Sequence, residues 1–187
     1  MLIIICAMIP SSIIFPQEDL SLSYISLQSN WQIQGVLLTS LLCGPEIGTI
    51  STISYLIIGL FYLPVFQGGG SVGYILTNEF GYLLGFIPAA WTCGFLVEKN
   101  SSHNLINYSL YTAISLAILH ITGISYLVVS KIFGNLIDNL FDLIFINTFT
   151  LLPNQLLLCI SISLVALFMK QILIAKWIDL GVEEWKQ

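Results

Sequence analysis

Arginine is absent from this chain, and charge of either sign is scarce. Five lysines and ten carboxylates are spread over 187 residues, so charged side chains make up 8% against 57% hydrophobic. A soluble domain ordinarily carries about 25% charged residues, and a water-facing surface of ordinary polarity is therefore excluded. The formal charge of −5 excludes nucleic acid as a partner, since nothing here would neutralise a phosphate backbone. No G-x-x-x-x-G-K-[ST] loop is present, so the chain cannot hydrolyse ATP itself. H-E-x-x-H, G-x-S-x-G and paired-aspartate signatures are missing too, and no enzymatic activity is expected. The four cysteines, Cys6, Cys43, Cys93 and Cys159, form no C-x-x-C pair. They read as small apolar residues, with no metal, disulfide framework or cofactor implied.

What remains is a series of apolar runs, which predicts an all-α polytopic membrane bundle. At roughly 20 residues per span, about six transmembrane helices would use most of the chain, as a single domain over residues 1–187. Residues 1–15 lack the charged start and small-residue cleavage site of a signal peptide. They are expected to form a short first membrane helix, cut short at its start. A polar stretch, Pro16–Asn30, carries Glu18 and Asp19. Apolar runs follow over about Trp31–Cys43, stopping at Gly44-Pro45, and Gly48–Leu63, stopping at Pro64. Further runs cover Ser71–Val97, Leu105–Ser130 and Thr150–Ile174. The second and third are each barely long enough to span. That predicts irregular backbone at membrane depth, which lipid tolerates only where it is buried in protein or lines a cavity.

Residues 132–145 differ. Ile132, Phe133, Leu136, Ile137, Leu140, Phe141, Ile144 and Phe145 make a helical stripe opposite Asn135, Asp138, Asn139 and Asp142. The spacing predicts an amphipathic helix lying at the membrane interface. With six spans, Lys99, Lys170, Lys176 and Lys186 fall on the side of the termini and only Lys131 opposite. The positive-inside rule then puts both termini in the cytoplasm of a multi-pass protein of the plasma membrane.

Polar residues inside apolar runs are functional candidates, because unpaired polar groups are costly in lipid. Here they are Gln32, Gln34, Asn78, Glu79, His120, Asn154 and Gln155. Gly81, Gly85, Ala89 and Ala90 are small surfaces that let helices approach closely.

The ordered motifs are more specific. Gly44-Pro-Glu-Ile-Gly-Thr-Ile-Ser-Thr-Ile-Ser-Tyr55 leads to Gly59-Leu-Phe-Tyr-Leu-Pro-Val-Phe-Gln-Gly-Gly-Gly70, then Gly81-Tyr-Leu-Leu-Gly-Phe86 and Gly94. This resembles the BioY family, the substrate-binding subunits of biotin transporters of the energy-coupling factor type, whose members carry G-P-x-x-G, Y-L-x-x-G, L-P-V-F-x-G-G-x-G and G-Y-L-x-G-F in that order. The resemblance implies biotin as substrate, and a transmembrane coupling subunit with ATPase subunits as partners. On that reading the amides of Gly68, Gly69 and Gly70 cap the ligand from outside, Gln32, His120, Asn154 and Gln155 hydrogen-bond it, and Tyr82 and Trp91 stack on its bicyclic ring. Ala7 and Ser11, a small-xxx-small pair, stand where the family's first helix docks on the coupling subunit. The pattern departs at L-P-G-D-x-x-K, which here reads Leu152-Pro153-Asn154-Gln155-Leu156-Leu157-Leu158, so the acid becomes Gln155 and the lysine Leu158. P-T-x-G-Y likewise becomes Asn78-Glu79-Phe80-Gly81-Tyr82. Two further readings stay open: the same scaffold carrying another vitamin-like solute, and a structural or assembly membrane protein.

Overall fold

A computed structural model describes residues 1–16, 22–66, 69–100, 104–134 and 139–179, with side chains described outside 10–30 and 174–179. Helices dominate. Four stretches are long and apolar enough to cross a membrane: Gln32–Phe61, Phe80–Lys99, Leu105–Ile132 and Leu140–Leu173.

The N-terminal region departs from the expected first membrane helix. Helix α1 covers only Leu2–Met8, and Pro10–Pro16 (β1) pairs antiparallel with Leu22–Asn30 (β2), placing Ile13 opposite Ile25 and Phe15 opposite Ser23. Pro10 has no N–H to continue a helix, and the β-branched and aromatic residues beyond it suit a pleated strand. The helical fold thus carries one two-stranded ribbon among the described residues. Glu18 and Asp19 lie outside those residues.

Helix α2, Gln32–Phe61, is two helices. Gly44 takes φ 81 and ψ −178 ahead of Pro45, so the path breaks there. Eight residues of straight helix span about 12 Å, yet a Cβ added at Gly48 would lie 3.0 Å from the Ser40 Cα. Segments 32–43 and 45–61 therefore fold back on one another, as the stop at Gly44-Pro45 implied. A Cβ at Gly94 would press on the backbone of Gly44 and Pro45, so the absence of a side chain there lets the turn dock.

The expected fourth run is divided into a short 3-10 turn, Val72–Leu76, then α3 (Phe80–Leu84) and α4 (Phe86–Lys99). The fifth is α5, Leu105–Ile132, and the last is α7, Leu152–Asp179. The amphipathic stripe 132–145 is not one helix. Helix α5 ends at Ile132, Gly134 turns with φ 73, and helix resumes as α6, Leu140–Ile144, running into a wide π-helical turn at Phe145–Phe149. Asn135, Leu136, Ile137 and Asp138 lie outside the described residues.

The core is built from Val36, Leu37 and Leu41 of α2, Ala89, Ala90 and Cys93 of α4, Tyr108, Leu116 and Leu119 of α5, and Cys159, Ile162 and Ala166 of α7. The small residues of α3 and α4 work as expected. Gly81 lies against the Tyr126 ring and Gly85 against Thr122, while Ala89 and Ala90 are fully buried. Outside this core, Ile50, Phe61, Ile106, Ile121 and Phe168 are exposed, an apolar perimeter suited to lipid.

Gly44 combines a positive φ with an extended ψ that only glycine adopts without strain. Gly44→Ala is therefore expected to cost about 1–3 kcal/mol and to lower the thermal unfolding midpoint in detergent. An unchanged midpoint would show that the turn is not strained.

Candidate functional site

Most helix hydroxyls need nothing from outside. Thr39, Ser40, Thr52, Thr112, Ser115 and Ser163 each donate to the carbonyl four residues back in their own helix. Amides and imidazoles cannot do this so readily, and four of them mark the site.

His120, only 5% exposed, meets Gln155 across the α5–α7 contact, with Nε2 to Oε1 at 2.8 Å. With Gln155 Oε1 as acceptor, Nε2 carries the proton and Nδ1 is left as a bare acceptor; Nδ1 is buried without a partner. The Gln155 Nε2 amide is then the outward donor of the pair. The Tyr82 ring packs edge-on to His120, with centroids 5.9 Å apart, and its hydroxyl bonds the Thr148 hydroxyl at 2.9 Å. Gly123 makes room for this, because a Cβ there would collide with the Tyr82 ring. Thr148 had no sequence signal: it is one threonine in a run of apolar and polar residues, and only the π-helical turn presents it to Tyr82.

Levels along the bundle can be counted. Lys170 Nζ donates to the Tyr108 hydroxyl at 3.2 Å, which fixes one end. At about 1.5 Å per residue, His120 stands about 18 Å up α5 from that end and Gln155 about 22 Å up α7. Gly44 lies beside Glu98, at the same end as Lys99. Gln32 and Gln34 stand about 15–18 Å from Gly44. The four polar side chains therefore share one layer in the half of the bundle away from Lys99 and Lys170. Gln32 Nε2 and both amide atoms of Gln34 are buried without a hydrogen-bond partner among the described residues. Burying an amide unpartnered costs about 2–7 kcal/mol, so this layer is poised to accept a polar ligand.

An open cleft of about 470 Å³ lies on the far side of the layer, between Leu76–Glu79 and Leu143, Ile146 and Asn147. Its volume is in the range of small-molecule sites. It is not lined by Gln32, His120 or Gln155. Tyr82 on α3 lies three residues beyond Glu79 and Thr148 follows Asn147, so the Tyr82–Thr148 bond adjoins the cleft on one side and, through the Tyr82 ring, His120 on the other. At the rim Tyr74 donates to Glu79 at 2.8 Å, and burial, reinforced by the Glu79 carboxylate, pushes the Tyr74 hydroxyl pKa up.

The glycine loop is held by its own backbone. Gly69 N–H donates to Phe66 O and Phe66 N–H to Gly69 O, so the Gly69 amide is engaged in a tight turn. A Cβ at Gly70 would lie 2.6 Å from Gly59 O and 2.7 Å from Pro64 Cα, so Gly70 allows close packing of the loop on α2. The turn is pinned from below by the Phe66 ring, edge-on to Tyr55 at 5.5 Å, and by the Tyr55 hydroxyl donating to Val65 O. Gly68 lies outside the described residues. Tyr126 O–H donates to Ile75 O, which fastens the following segment to α5.

Other expected residues fall elsewhere. Trp91 is 49% exposed and stacks on Phe95 with rings 7° from parallel, so it faces outward. Asn154 is half-buried beside Gln155 at the start of α7. Ala7 is buried with Ile3 against the chain's own core, and the Ser11 side chain is not among those described. Among the described residues no group of three or more His, Cys, Asp and Glu is placed to hold a metal ion.

In a double-mutant cycle, Tyr82→Phe and Thr148→Val are expected to show a coupling of about 0.5–1.5 kcal/mol in thermal stability. Additive losses would mean that the two hydroxyls do not act together.

The chain is similar to known proteins. The chain is 36% identical over 99 residues to a Lysinibacillus sphaericus protein described as "Probable biotin transporter BioY", covering 53% of this chain and 50% of that one. It is 36% identical over 74 residues to a Thermotoga maritima protein described as biotin transporter BioY, covering 38% and 43%. The matched region thus spans about half the length of these relatives. In three dimensions the chain overlays the crystal structure of the S-component for biotin from an ECF-type ABC transporter with a TM-score of 0.68 and 22% identity, covering 90% of this chain and 85% of that one. The BioY family profile matches residues 1–175, and the chain belongs to the BioY family.

Proposed function

We propose that this chain is the substrate-binding component of an energy-coupling-factor biotin transporter, taking up biotin across the plasma membrane as a multi-pass protein. The observation that carries this reading is the half-buried His120–Gln155 pair, with its unpartnered, buried Nδ1, in a BioY-family bundle. A cyclic urea presents one carbonyl acceptor between two N–H donors. The bare Nδ1 of His120 suits an N–H, and the Gln155 amide N–H₂ suits the carbonyl. Tyr82 supplies an aromatic edge beside them.

Orientation follows from charge. Lys99 and Lys170 mark one end of the bundle and Lys131, at the end of α5, the other, so the Lys99 end faces the cytoplasm. The cleft and the polar layer then lie in the outer half. Biotin enters through the cleft, the Tyr82–Thr148 bond opens to admit it, and the His120–Gln155 pair orients it. A transmembrane coupling subunit and ATPase subunits supply the energy for release inward.

The test is binding of radiolabelled biotin to the purified chain in nanodiscs. Saturable binding at or below micromolar concentration is expected. Gln155→Leu and His120→Leu should each weaken it by about tenfold or more, about 1.4 kcal/mol, with folding retained. No saturable binding, or full affinity in both variants, would contradict the reading.

A further inference from the structure

Gln34 is unlike every other polar side chain among the described residues. It is fully buried, and neither its amide nitrogen nor its amide oxygen has a hydrogen-bond partner there. Its flanks explain why it cannot turn away: Gly35 is held against Cys6 and Ile3 of α1, and Val36, Leu37 and Leu38 are buried in the core. The side chain stands in the first turns of α2, at the level of His120 and Gln155 counted above.

That layer carries no ionised group among the described residues. Lys99, Lys131 and Lys170 stand at helix ends. Glu98 sits beside the Gly44 turn, close in sequence to Glu46, and Glu79 is held at the cleft rim by Tyr74. Below Gln155 by one helical turn, on the same face, Leu158 is buried. Hydrogen-bonding capacity is thus supplied by neutral groups: the amides of Gln32, Gln34 and Gln155, the His120 imidazole and the Tyr82 phenol.

We infer that Gln34 is a further ligand-binding residue and that the site recognises the uncharged hydrogen-bonding head of its ligand, a cyclic urea or comparable amide, without pairing the ligand's carboxylate to a cation. This rests on the biotin-binding reading above. An amide offers two donors and one acceptor, so Gln34 complements a ureido group in the same sense as the Gln155 amide and from the opposite helix. The carboxylate is left to face apolar residues or to reach back toward the cleft, whose described lining holds no lysine.

The experiment uses the full chain in nanodiscs and measures affinity for biotin and biotin methyl ester together with the thermal midpoint. The wild-type protein is expected to bind ester and acid within about threefold of each other. Gln34→Leu should keep or raise the midpoint, because it removes an orphaned amide at similar volume, while weakening both ligands by about tenfold or more. Gln34→Met serves if the leucine variant fails to fold. Unchanged affinity in a folded variant would overturn the role of Gln34, and an ester bound about tenfold more weakly than the acid would overturn neutral recognition. If the wild-type protein binds neither compound, the biotin reading itself falls and the inference with it; if it binds biotin but fails either of the first two tests, only the inference falls.

Discussion

The hydrogen bond between His120 and Gln155 joins two helices in the interior of a bundle whose perimeter is apolar. Lipid offers no substitute partners, so every polar atom there is satisfied by the protein, by a ligand or not at all. The hydroxyl residues resolve this within their own helices. His120 and Gln155 resolve half of it with each other and leave one imidazole nitrogen open, while Gln32 and Gln34 leave amide atoms open as well. The position of the site is set by where these unsatisfied groups collect.

The scaffold concentrates them by folding short helices back. Without the break at Gly44, residues 32–61 would run as one rod and carry Gln32 and Gln34 far from the second half of the same helix. With it, the amides stand about 15–18 Å above the turn, level with the mid-helix histidine. Glycines make the close contacts this demands: Gly94 under the turn, Gly85 against Thr122, Gly123 against Tyr82. The last of these couples packing to the site, since the ring that fills the space over Gly123 is the one that touches His120 and bonds Thr148.

Much of this was legible in the sequence, and the reasons differ by residue. The near absence of charge dictated a membrane bundle, and Gly44-Pro45 marked the reversal because that pair cannot continue a helix. Intramembrane polarity singled out His120 and Gln155, though periodicity alone said nothing of their pairing across 35 positions. The pairing of Pro10–Pro16 with Leu22–Asn30 was missed because the apolar run over its first strand looks the same whether it forms a helix or a strand, and the polar stretch over its second carries no strand signal of its own. The outward face of Trp91 was not legible, because an aromatic on an apolar helix serves a ligand or a lipid face equally well and only exposure separates the two. The triple glycine marked a tight turn correctly, but its chemistry could not reveal that the Gly69 amide is engaged by Phe66. Thr148 carried no pattern at all, since its role comes from a π-helical turn.

The most direct measurement is a structure of the chain with biotin bound. The ureido group is expected between the first turns of α2, the middle of α5 and the start of α7, within hydrogen-bond distance of Gln155 and His120, with the Tyr82–Thr148 bond rearranged. Biotin resting in the outer cleft alone, or on the lipid-facing perimeter, with the buried amides still unpartnered, would contradict it.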